Sequence, residues 1–150
     1  MLAHCQQVWE AQTAYTEAAA LDPIFLWPDN NLAWLLCTTS VTEFRNGERA
    51  GRLAVEICEK SNWSCWAFLG TLAAAHAATG EFGNAVAWQR KSLGCTPHSH
   101  AKYSADILQR FKAGIALFDP DIPPAAGQDP EEIVSHARLL DGAWSFPTRH

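Results

Sequence analysis

Long apolar runs are missing from this sequence. No stretch approaches the roughly 18 consecutive apolar residues a membrane-spanning helix needs, so no membrane span is expected. The opening Met1-Leu2-Ala3-His4 lacks a basic segment followed by an apolar one, so no secretory leader is expected either. Strand formers are thin, and no β-branched or glycine-rich run occurs, which argues against a sheet protein. The five cysteines (Cys5, Cys37, Cys58, Cys65 and Cys95) are odd in number and show no CxxC spacing. Buried free thiols in a reducing cytoplasm are the simple expectation. Excess positive charge is lacking too. At a formal net charge of −5 the chain gains little from displacing counterions, so no nucleic-acid partner is expected.

What the chain has is alanine at helical spacing. Apolar residues make up 48% of its 150 positions, enough for a core. Val8, Ala11, Tyr15, Ala18 and Ala19 form one stripe on a helix over about 4–21, which ends before Pro23. A second helix opens near Pro28 and runs to about Thr38. Asn46 can cap a third, with the stripe Ala50, Leu53, Ala54, Ile57 and Cys58 and an end near Ser61. A fourth, over about 65–79, stops at Gly80, and a fifth, over about 82–93, stops at Gly94. Tyr103, Ile107, Leu108 and Phe111 mark a sixth over about 99–112, before Gly114. From Asp119 prolines and glycine crowd the chain, so 119–150 reads as a linker and tail, with room for a short helix over 130–140.

These helices repeat. Ala11 and Ala85 are each followed twelve residues later by proline, Pro23 and Pro97. Ala50 is followed by Ala54, Ile57 and Cys58, which stand at the same offsets as the stripe residues that follow Ala11 and Ala85. Ala50 and Ala85 lie 35 residues apart, and Ala11 and Ala50 lie 39 apart. The turn between Ala33 and Ala50 is five residues longer than the one between Ala73 and Ala85, so the underlying period is near 34. Small residues such as Ala50 and Ala85 let two helices approach closely, and pairs that cannot cover their apolar faces alone stack.

A two-helix unit of this period resembles the tetratricopeptide repeat. Leu72-Ala73, His76, Gly80, Phe82, Ala85, Gln89, Ser92, Leu93 and Pro97 carry the likeness, with Leu32-Ala33 in the unit before it and Ala11 and Tyr15 in the half-unit before that. His76 and Gln89 stand where aromatics are usual and Ser92 where alanine is usual, so looser packing is expected there. The long turn with Arg45-Asn46-Gly47 is similar to a bacterial multi-repeat subtype. The resemblance covers about residues 4–118. It implies an all-α, right-handed solenoid of antiparallel helix pairs: about two full repeats, a flanking half-repeat and a capping helix. The first helix matches the second half of a repeat. Either the chain belongs to a longer array, or this face takes a partner, a second copy among them.

The resemblance also implies a concave groove that takes a peptide or helix, with no cofactor. Trp27, Asn30, Trp34, Cys37 and Thr38 would line it from one repeat, and Ala67, Gly70, Ala74, Ala77 and Ala78 from the next. Two groove tryptophans would serve as anchors, but the same spacing fits two core tryptophans. Trp34 and Ala74 stand where relatives that clamp a carboxylate have asparagines, so that clamp is not carried over. No GxSxG, HExxH or phosphate-cradling glycine loop occurs, and no catalytic activity is expected. The one other constellation is Cys95, His98 and His100, a set that could ligate zinc or copper with His76 or His4 as a further donor. The alternative is a buried thiol and two solvated histidines near the last helix. Glu56, Glu59, Glu131 and Glu132 read as solvated faces.

Overall fold

A computed structural model of the chain describes residues 2–118, with side chains from Cys5 onward. The expected linker and the short helix over 130–140 lie outside the described residues. Every regular element among the described residues is helical: α1 (Leu2–Leu21), α2 (Trp27–Thr38), α3 (Gly47–Lys60), α4 (Trp66–Ala78), α5 (Phe82–Cys95), a 3-10 turn (His98–His100) and α6 (Ala101–Lys112). Each helix packs on its chain neighbour, and α2 also packs on α4.

Local chemistry sets most of these boundaries. Pro28 sits in the first turn of α2, where its missing N–H is not needed. Asn46 caps α3, its side-chain oxygen accepting the Arg49 N–H at 3.0 Å. Such a cap contributes about 1 kcal/mol. Gly80 closes α4 at φ +83° and Gly114 closes α6 at φ +73°, left-handed values that suit glycine. The turn at Gly80 is braced by Thr79, whose hydroxyl donates to Glu81 at 3.0 Å. That bond, with a smaller contribution from His76, holds the Glu81 carboxyl below the usual carboxylate range.

Two expected boundaries move. The helix α5 does not stop at Gly94 but continues to Cys95. It ends because Thr96, preceding Pro97, takes an extended conformation. The last helix is entered through a separate 3-10 turn at His98–His100. Asn62 and Trp63 also adopt left-handed backbone, both at φ 57°, in the connection from α3 to α4. For a residue as bulky as tryptophan this is strained. The Trp63 N–H donates to the Cys58 carbonyl at 2.8 Å, and its indole stacks on Trp88 of α5, centroids 5.2 Å apart at 18°.

The core follows the stripes. One cluster runs from Tyr15 and Ala18 through Leu32, Ala33, Ala50, Ala73 and Ala85 to Ile107 and Phe111. A second, beneath α3 and α4, holds Ala54, Ile57, Phe68, Leu69 and Leu72, and Trp27 and Trp88 touch both. Of the residues expected to pack between repeats, Tyr15, Leu32, Ala33, Ala50, Leu72, Ala73 and Ala85 are buried. Ala11 and Phe82 are partly buried, and Pro97 is exposed. The start of α3 lies close to the end of α4, since a Cβ on Gly47 would meet the Thr79 Cγ2 at 2.8 Å.

Gln89 and Ser92 depart from the apolar pattern and are both buried. Gln89, 2% exposed, donates its amide to the Ser104 carbonyl and hydroxyl at 2.9 and 3.0 Å, joining α5 to α6. Ser92 donates to the Trp66 carbonyl at 2.7 Å, joining α5 to α4. The Gln89 amide nitrogen and the Ser92 hydroxyl thus each meet a partner from another helix, while the Gln89 side-chain oxygen meets none among the described residues.

Candidate functional site

The residues expected to line a groove come together, but mostly beneath the surface. Trp34 is 4% exposed, and Asn30, Cys37, Thr38, Ala67, Ala74 and Ala77 are also buried. Trp27, Gly70 and Ala78 are half-buried. Of the two readings of the tryptophans, the core reading holds for Trp34. Trp27 packs edge-on against Phe68, centroids 5.0 Å apart, so neither indole projects freely as an anchor.

Asn30 does different work from that expected. Its side-chain oxygen accepts the Thr71 hydroxyl at 2.7 Å, and its amide donates to Asn31 at 3.2 Å. The first bond crosses from α2 to α4 between residues 41 apart in sequence and fixes the register of the two helices. Thr38 is likewise spent locally, donating to the Trp34 carbonyl at 2.7 Å.

A small cavity lies where α2, α4, α5 and α6 converge, lined by Trp34, Gly70, Gln89, Tyr103 and Ile107 among others. Two buried polar atoms on its lining residues, the Trp34 indole nitrogen and the Gln89 side-chain oxygen, find no hydrogen-bond partner among the described residues. Residues after α6 also contribute to the core. Leu117, 1% exposed, belongs to the cluster that holds Trp34, Cys37, Ala74 and Ala77.

Two open depressions lie elsewhere. One of about 510 Å³ runs between α3 and α4, with Leu72 and Ala75 below and Glu48, Arg52 and His76 at the sides. The other, about 560 Å³, lies along the outer side of α1 by Thr13, Thr16 and Phe44, with Trp9 52% exposed. Neither was expected from the sequence, since most of their lining residues stand outside the stripes.

The Cys95, His98 and His100 set is not assembled into a metal site. Among the described residues no group of three or more histidine, cysteine or acidic side chains is placed to hold an ion. All three are exposed, and the His100 ring packs on Trp66 with centroids 5.0 Å apart. Cys95 is therefore not the buried thiol expected of it.

The other thiols differ sharply. Burial pushes the Cys58 thiol up to about 12, with nearby Cys65 adding to the effect and Lys91 opposing it. Burial alone raises Cys37 strongly. Because the thiolate is the nucleophile, the native chain at pH 8 should react with a disulfide reagent at Cys95 within minutes. Cys37 and Cys58 should stay unmodified until denaturant is added, a difference that peptide mapping of the labelled chain reads directly. Prompt labelling of Cys37 in the native chain would contradict the packing described.

No helix among the described residues is long and apolar enough to cross a membrane. Set against family models, curated proteins and solved structures, the chain matches none.

Proposed function

We propose that the chain is a non-catalytic helical-repeat module that holds a protein or peptide ligand on the face made by α2, α4 and α6. In this reading the helices form a right-handed solenoid of antiparallel pairs, α2 with α3 and α4 with α5. The helix α1 is a half-repeat and α6 the cap, as the likeness to tetratricopeptide repeats implies. The observation that carries the proposal is that α2 packs on α4 although α3 lies between them in sequence. Contact between the first helices of successive pairs is what stacked repeats require, and the Asn30–Thr71 bond pins it. The complete burial of Ala50 and Ala85 in one cluster supports the same register.

The test is a selection of peptides from a displayed library on the full chain, followed by hydrogen-exchange footprinting of the winners. Protection concentrated on 27–38 and 66–78 is expected. Winners that protect only α1 or the outer side of α3 would remove the reading.

A further inference from the structure

The residues after α6 do not behave as an overhang. Gly114 turns the chain out of the helix at φ +73°. The Ile115 N–H then donates to the Arg110 carbonyl at 2.9 Å, and the Arg110 guanidinium donates to the Ala116 carbonyl at 3.3 Å. From there the chain is non-helical through Phe118. Leu117 is buried in the main cluster, whose members include Ala74 and Ala77 of α4, while Ile115 and Phe118 stay exposed. The Phe118 ring ends 3.6 Å from the guanidinium of Arg45, in the connection between α2 and α3. Arg45 is itself held in place, its Nε donating to the Thr39 carbonyl at 3.0 Å.

This is the form of a bound peptide: a short irregular segment, one inserted aliphatic anchor and an aromatic clasped by a fixed cation. The helix α6 has further buried anchors of its own in Ile107, Leu108 and Phe111. We infer that residues 115–118 are the chain's own ligand for the face of α2, α4 and α6. The partner this face takes is an extended peptide presenting a leucine followed by an aromatic, which binds by displacing them. The inference rests on the proposed groove and names what fills it. A face held closed by one buried leucine is open in about 1–10% of molecules, so the outside peptide binds roughly 10- to 100-fold more weakly than to an open face.

The experiment uses the full chain and a fluorescein-labelled peptide copying residues 112–118, read by anisotropy. Leu117→Asp should bind the peptide about 10- to 100-fold more tightly than the unaltered chain. A control peptide with aspartate at the leucine should bind neither. Adding Arg45→Ala to Leu117→Asp should weaken binding by about 2- to 5-fold, since one cation–π contact is lost. The inference is overturned if Leu117→Asp keeps its helical spectrum and cooperative melt yet binds no better than the unaltered chain. Binding that ignores the leucine or Arg45 overturns it as well. Should Leu117→Asp lose its cooperative melt, Phe118→Ala decides, with a gain of about 2- to 5-fold expected and no gain overturning the inference. Library peptides that footprint on α2 and α4, without any gain in these variants, would sink the self-ligand alone and leave the groove standing.

Discussion

Replacing Phe111 with alanine is expected to lower stability by about 3–5 kcal/mol, the cost of deleting a buried aromatic and leaving a partly collapsed cavity. Phe111 is 1% exposed and, among the described residues, the largest of the fully buried side chains. It lies at the far end of the main cluster, in the same group as Ile107, Leu117 and Ala85, so the cavity would open among α6, its trailing segment and the body of the protein. A loss of this size should move the urea midpoint down by more than about 1 M. Lys112→Ala next to it, on the exposed side of α6, should change stability by less than about 0.5 kcal/mol. Equal responses at the two positions would mean that α6 is not packed as described.

The second expected result concerns the three alanines aligned by period. Ala50→Leu and Ala85→Leu should each cost about 1–3 kcal/mol, because neither fully buried site has room for three more carbons. Ala11→Leu should stay within about 0.5 kcal/mol, because Ala11 is only partly buried on α1. Thermal melts of the three variants read the contrast. Three equal losses would place a further helix against α1, and three negligible ones would deny the close helix approaches altogether.

Elements whose identity depends on local chemistry could be read from the sequence alone. Asn46 as a cap, Pro28 in a first turn, and Gly80 and Gly114 as terminators all act within a few residues, so spacing reveals them. Gly94 misled because an exposed glycine can stay helical, and the true stop came from the residue before Pro97. The apolar stripes named the core well, since Val8, Tyr15, Ala54, Ile57 and Leu108 are all buried.

The candidate site was much less legible. A tryptophan at helical spacing looks the same whether it lines a groove or fills a core, and only the arrangement of α2, α4 and α6 decides for Trp34. The partners of the buried polar residues could not be read for a related reason. Asn30, Thr71, Gln89 and Ser104 earn burial through partners 15 to 41 residues away, and periodicity carries no record of such pairings. Leu117 escaped notice because it stands outside every helix and belongs to no stripe.

The stacked pair of Trp63 and Trp88 has an optical consequence. Two indoles with centroids 5.2 Å apart couple their strong ultraviolet transitions, so wherever their in-plane axes are skewed the folded chain should carry an exciton couplet in its circular dichroism. One ring sits in the turn between α3 and α4 and the other on α5, so the couplet requires the third, fourth and fifth helices to be docked. It would vanish when they part, even if each kept its own helical signal, giving a spectroscopic ruler for tertiary assembly separate from helix content.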